Sequence, residues 1–210
     1  MIVFQEKPLM SLALPTPIGS RRLPWPHPKR WTVAEFHQLR SAPWLESRRL
    51  ILVEGEILDM PNPNPPHDAS LGLTEESLRR VFARGFWVRG QMALVLGLAT
   101  DPVPDLAVVP GSPREHVEHP RMALLVVEIS ESSLAYDCGD KADLYAAGGI
   151  GDYWVIDLIH RQVVVHRDPV GDPVRLHGAR YQTVNAVSTD GRVSPLAAPG
   201  QEILVRDLLP

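Results

Sequence analysis

Met122-Ala123-Leu124-Leu125-Val126-Val127-Glu128-Ile129-Ser130 is apolar on both of its alternating faces. Ala123, Leu125, Val127 and Ile129 form one face; Leu124 and Val126 form the other, beside Glu128. A strand of that kind is central and covered on both sides, which predicts an α/β fold with helices flanking a mixed sheet. The carboxylate of Glu128 then stands where an isolated charge costs many kcal/mol, so it must be paired, metal-bound or protonated.

Two further charged groups lie on either side. Upstream, Pro102 and Pro104 mark a turn, and Asp105 opens the short apolar run Leu106-Ala107-Val108-Val109. Downstream, the polar Ser130-Glu131-Ser132-Ser133 leads into a helical pattern. In it Leu134, Cys138, Lys141 and Tyr145 step by four, three and four along one face. Lys141 therefore points towards the sheet. Lysine is rare in this chain, three against eighteen arginines, and a lysine on an inward stripe is a compact point charge with a tunable pKa. Each group also has an ordinary explanation. Asp105 fits an Asx turn at a strand start, and Glu128 fits a buried arginine partner. Lys141 fits an i,i+4 pair with Asp137 on a solvated face.

Taken together, the run of motifs resembles the Uma2 family of restriction-endonuclease-like proteins, within the PD-(D/E)XK superfamily. The resemblance rests on Pro104-Asp105, Val127-Glu128-Ile129-Ser130 and Asp137…Lys141…Tyr145-Ala146-Ala147-Gly148. Asp152-Tyr153-Trp154-Val155-Ile156-Asp157 continues it, and Glu54-Gly55-Glu56-Ile57 and Pro65-Pro66-His67 extend it upstream. It covers roughly Trp31 to Arg167. It implies a restriction-endonuclease-like core and a Mg²⁺-dependent phosphodiesterase site, with Mn²⁺ as a substitute and DNA as the substrate. Asp105 and Glu128 would hold the metal with the Ile129 carbonyl, and Lys141 would stabilise charge at the phosphate. Glu54, His67 and Gln91 would stand on the rim. Two positions depart from the family pattern. Ser130 occupies the place two after the strand glutamate where lysine is usual, so that role passes to Lys141. Ile51 stands where relatives often carry glutamate.

Composition bounds the remaining choices. The chain has 210 residues, 44% hydrophobic and 22% charged, which is ordinary for one globular domain. A formal net charge of −4 carries no global footprint for nucleic acid and argues against a DNA-coating protein. A nuclease with local contacts remains compatible. The single cysteine, Cys138, permits no internal disulfide and suits a reducing compartment. With no apolar run of membrane-spanning length and no convincing signal peptide, a cytoplasmic protein is expected. The eight histidines include no HExxH, and one cysteine builds no structural zinc site.

Away from the centre, residues 1–28 hold six prolines and read as an extended arm. A core domain is expected over 29–168, and 169–210 reads as a β-rich extension of it. Thr32-Val33-Ala34-Glu35 is a capping box. Leu50–Val53 and Ile57–Met60 read as a hairpin turning at glycine, with Glu54 and Glu56 at its tip. Residues 61–66 read as a loop, and Asp68 as the N-cap of the next helix. Arg79, Arg80, Arg84 and Arg89 form the local basic cluster expected to meet phosphates. Phe86–Arg89 and Met92–Gly97 are strand-like. Two other functional classes fit the same fold. One is a nucleic-acid-binding module without catalysis, which would need no Mg²⁺; the other is a protein-interaction domain meeting a partner or a second copy as a homodimer.

Overall fold

The computed structural model describes residues 26–45 and 47–210. Most of the proline-rich arm expected over 1–28 lies outside the described residues, and its last three, 26–28, are exposed and form no helix or strand.

The first helix, α1 (Val33–Arg40), begins at the expected capping box: Thr32 Oγ1 accepts from the Glu35 amide, and the Thr32 amide donates to Glu35. Strands β1 (Leu50–Val53) and β2 (Glu56–Asp59) form the expected hairpin. Glu54 and Gly55 both take positive φ, 47° and 81°, as a two-residue turn matched to strand twist requires. Helix α2 (Pro65–Val81) starts earlier than the sequence suggests. Asn64 is the N-cap, its side chain accepting from the His67 amide, and Pro65 and Pro66 form the first turn. Proline lacks only an amide that would be unpaired there anyway, so the loop ends at Asn64 and Asp68 lies inside the helix.

Six strands make the central sheet in chain order: β3 (Phe86–Gly90), β4 (Leu106–Pro110), β5 (Leu125–Ser130), β6 (Asp152–Asp157), β7 (Gln162–Gly171) and β8 (Ala179–Ser188). Neighbours are antiparallel except β5 and β6, which run parallel. Parallel neighbours need a crossover, and α3 (Leu134–Asp137) with α4 (Asp140–Ala147) supplies it. Gly148 and Gly149 end that crossover, the latter at φ 76°, as a glycine stop allows.

Every residue of β5 is buried, as its two apolar faces require. Leu125, Val127 and Ile129 pack with Leu78 of α2, with Phe82 at its C-cap and with the C-terminal Val205 and Leu208. Val126, on the other face, packs with Ala142, Tyr145 and Ala146 of α4. The C-terminal segment, which includes β9 (Arg192–Val193) and β10 (Ile203–Leu204), thus shares the α2-side core. β7 runs unbroken through the boundary expected at 168/169.

The Met92–Gly97 segment is no strand. It doubles back through loop bonds, Leu94 to Pro102 and Leu96 to Thr100. Pro102 and Pro104 have no amides to continue a ladder. Among the described residues no helix is long and apolar enough to cross a membrane.

Candidate active site

Register decides which side chains meet. β4 and β5 pair antiparallel with Leu106 opposite Val127, so the next pair outward is Asp105 and Glu128. Residues directly opposite one another project to the same face, here the face that α4 covers. The Asp105 amide lies 3.4 Å from Glu128 Oε2, and the Ile129 amide donates to Asp105 Oδ2 at 2.9 Å. From α2, His67 Nε2 reaches the same Oδ2 at 3.1 Å. Asp105 Oδ1 accepts no hydrogen bond among the described residues.

Helix α4 supplies the cation. Lys141 Nζ sits 2.9 Å from Glu128 Oε2 and 3.4 Å from Asp137 Oδ1, with the lysine side chain only 7% exposed. Tyr145, one turn further along, donates to Glu128 Oε1 at 2.6 Å. Ser133 Oγ donates to the Asp137 carboxylate. The stripe read from sequence is interrupted: the helix breaks at Gly139, where a Cβ would stand 2.6 Å from the Ala135 carbonyl oxygen. Lys141 and Tyr145 face the sheet together from the second piece.

The electrostatics follow from burial and pairing. Burial works to raise Asp105, but the bond from His67, the Ile129 amide and the nearby Lys141 hold it below the ordinary carboxylate range. The same bond raises His67. Burial pushes Glu128 up to about 8, with Lys141 pulling the other way. Lys141 is lifted above its ordinary range because Glu128 and Asp137 overcome the desolvation that would lower it. The ammonium keeps its proton, and Glu128 is a carboxyl that a further cation would help to ionise.

The oxygen set fits a hard divalent cation. Among the described residues no three His, Cys, Asp or Glu side chains gather as a metal cage. Two carboxylates and a main-chain carbonyl, completed by water and substrate oxygens, are what Mg²⁺ ordinarily takes.

These groups lie at the floor of a cleft of about 1010 Å³, lined among others by Ile51, His67, Gln91, Asp105, Glu128, Ile129, Asp137 and Lys141. Gln91 takes φ 50°, and its amide donates to the Asp105 carbonyl at 2.9 Å. Glu54 is placed elsewhere: it lies outside the cleft lining, at the β1–β2 turn, and its carboxylate bonds His177 Nδ1 at 2.8 Å. The expected basic cluster is also displaced. Arg79 and Arg80 spend their charge on Glu75 and Glu76 along α2, and Arg84 lies with Arg79 beside Phe82 and Trp87 in a separate shallow pocket. Arg89 is buried, bonded to the Ala93 carbonyl at 3.2 Å and set over the Trp87 ring. The arginines that line the cleft are instead Arg40, Arg48, which pairs with Asp59, and Arg49, with the His37 and His119 rings beside them. Sequence reading missed them because only the fold brings residues 37–49 and His119 over the Asp105–Glu128 floor. Asp137 and Tyr145 stand in the run of motifs read from sequence, but there Asp137 has only the part of an i,i+4 partner of Lys141 and Tyr145 that of a stripe residue, with no contact to the site assigned to either.

The family described as "Putative restriction endonuclease", Uma2, matches residues 33–206. The chain belongs to the Uma2 family. That match spans every element from α1 to the C-terminal segment, so the family's domain includes β7 and β8 as well as the site-bearing strands. A crystal structure of a putative nuclease belonging to DUF820 from Anabaena variabilis is similar, with TM-score 0.62 and 21% identity. The alignment covers 85% of this chain and 97% of that one, and the likeness is one of fold. No curated protein matches this Uma2 chain.

Proposed function

We propose that this Uma2 chain is a metal-dependent endonuclease that hydrolyses phosphodiester bonds in DNA. The observation that carries the reading is the placement of Asp105 and Glu128 side by side on the cleft floor, with the Lys141 ammonium 2.9 Å from Glu128. The family description supports the reaction class.

Asp105, Glu128 and the Ile129 carbonyl would hold Mg²⁺ or Mn²⁺. When bound, such an ion polarises a phosphate and lowers the pKa of a coordinated water. The chain's own groups do the rest. His67 and the Ile129 amide fix Asp105 in one orientation. Tyr145 does the same for Glu128. Lys141, kept protonated by Glu128 and Asp137, presents positive charge where negative charge develops on the phosphate, and it needs no reorganisation to do so. Ser130 has no cationic role; it is buried, with its hydroxyl 3.3 Å from Ser133 Oγ.

The test is cleavage of a labelled oligonucleotide panel with Mg²⁺, with Mn²⁺ and with chelator. Cleavage that needs the metal and is lost in Asp105→Asn and Glu128→Gln supports the assignment. Binding without metal-dependent cleavage would make this a binding module instead.

A further inference from the structure

Lys141 stands between two carboxylates at unequal distances. Its Nζ lies 2.9 Å from Glu128 Oε2 and 3.4 Å from Asp137 Oδ1. Hydrogen bonds between an ammonium and a carboxylate ordinarily run about 2.7–2.9 Å, so the ammonium leans on Glu128 and holds Asp137 in reserve. The lysine, glutamate and aspartate side chains are 7%, 3% and 4% exposed. An ammonium that leaves Glu128 therefore needs another anion, because a buried charge without a partner is costly.

Both oxygens of Glu128 are engaged. Tyr145 donates to Oε1, while Lys141 sits on Oε2 with the Asp105 amide 3.4 Å away. Asp105 Oδ2 takes the bonds from His67 and the Ile129 amide, which leaves Oδ1 as its open oxygen among the described residues. A divalent cation taken up by Asp105 and Glu128 thus meets Lys141 already in place on the glutamate. Two cations on one carboxylate repel each other, and the ammonium has to give way. Asp137 is the acceptor within reach. A movement of about half an ångström brings Nζ to the bond length usual for such a pair. Asp137 is also held ready. Its other oxygen accepts from the Ser133 hydroxyl, its amide donates to the Ser133 carbonyl, and its own carbonyl accepts from the Tyr153 hydroxyl at 2.8 Å.

We infer that Asp137 is a positioning residue that takes the Lys141 ammonium over from Glu128 when a divalent cation binds there. The cation gains a carboxylate oxygen, and the lysine stays paired beside it. This rests on the reading of Asp105 and Glu128 as metal ligands, but it is read in metal affinity and not in turnover.

The experiment is a double-mutant cycle on Mn²⁺ affinity, followed by the electron paramagnetic resonance signal of the free ion and without nucleic acid. It compares the parent, Asp137→Asn, Lys141→Met and the double variant, each shown to be folded by thermal melt. Asp137→Asn should weaken Mn²⁺ binding about tenfold, since the lysine then has no second carboxylate to move to. Lys141→Met should tighten binding, and in that background Asp137→Asn should change it by less than about twofold. The general effect of one lost negative charge would survive removal of the lysine, as would a role of Asp137 as a metal ligand or a purely structural role. Equal losses in both backgrounds, or no loss in either, overturn the inference. If Lys141→Met does not fold, the ¹⁵N signal of the Lys141 ammonium, one of only three lysines in the chain, gives the second reading. That signal should shift as Mg²⁺ is added to the parent, and Asp137→Asn should need about tenfold more Mg²⁺ for the same shift. A signal that never moves in the parent, or one that moves at the same Mg²⁺ concentration in both proteins, overturns the inference. Coupling of this kind without any cleavage of nucleic acid upholds it while the nuclease reading fails.

Discussion

Lys141 is held between two buried carboxylates, Glu128 at 2.9 Å and Asp137 at 3.4 Å, so removing its charge strands both. Breaking a buried pair by deleting one partner typically costs about 3–5 kcal/mol. Lys141→Met should lower the unfolding free energy in urea by that order as well as abolish cleavage. Adding Glu128→Gln should return part of the lost stability and none of the activity. A single variant as stable as the parent would mean that the ammonium is not what balances this site. Conversely, Tyr145→Phe keeps the ring and loses only the bond to Glu128 Oε1. A lost hydrogen bond typically costs about 0.5–1.5 kcal/mol net. The cleavage rate should fall while binding of the oligonucleotide stays the same, and an unchanged rate would show that Glu128 needs no such anchor. At this scale the sequence was partly readable. An acid inside an apolar strand and a lysine on an apolar helix stripe are visible as misplaced charge. The failure of Glu54 and of Arg79, Arg80, Arg84 and Arg89 to line the cleft was not visible, because it depends on where a hairpin turn and one helix face land in space.

At the scale of elements, the break between α3 and α4 sets the angle from which Lys141 approaches. Periodicity reads straight through Gly139, since the residues on either side keep the helical spacing. What interrupts the helix is the backbone of Gly139, at φ −109° and ψ −107°, which brings the Ala135 carbonyl oxygen 2.6 Å from the place a Cβ would occupy and so leaves room for glycine alone. Gly139→Ala should destabilise the fold by about 1–3 kcal/mol and lower activity more than its stability loss explains, which a comparison of melts and cleavage rates reads directly. Full activity in a folded alanine variant would show that the break is incidental. The β4–β5 register that sets Asp105 opposite Glu128 is not legible in the sequence, because both strands are apolar on both faces and a long connection from Pro110 to Leu125 fixes no turn geometry. The early start of α2 at Pro65 could have been read from Asn64 and the tolerance of a first helical turn for proline.

For the molecule as a whole, the pH response has an identifiable source outside the cleft lining. His166 on β7 is 2% exposed, its ring tilted against those of Tyr153 and Tyr181, with Nδ1 unpartnered among the described residues. Burial pushes its pKa down to about 4, against about 6.5 in an unfolded chain. Between those values the unfolded chain binds more protons, so stability is fully present above pH 6.5 and is lost as pH falls towards 4. The loss from this residue alone is about 3 kcal/mol. His166→Phe should show a smaller drop in urea midpoint between pH 7 and pH 4.5 than the parent; identical drops would mean that the imidazole is not the group responsible. The two-faced core was legible at this scale from the apolar strands, whereas the cleft was not. Its walls are made by α1, β1, the start of α2 and several separate loops, and only folding brings them over the Asp105–Glu128 floor. The claim that this floor is a metal-dependent phosphodiesterase site is tested most directly by the initial cleavage rate of the labelled oligonucleotide panel, with Mg²⁺ and with chelator, for the parent and Asp105→Asn. The account predicts cleavage by the parent in Mg²⁺ only and a loss of about two to three orders of magnitude in the variant. Cleavage that persists in chelator, or an asparagine variant that cuts at the parent's rate, would contradict it.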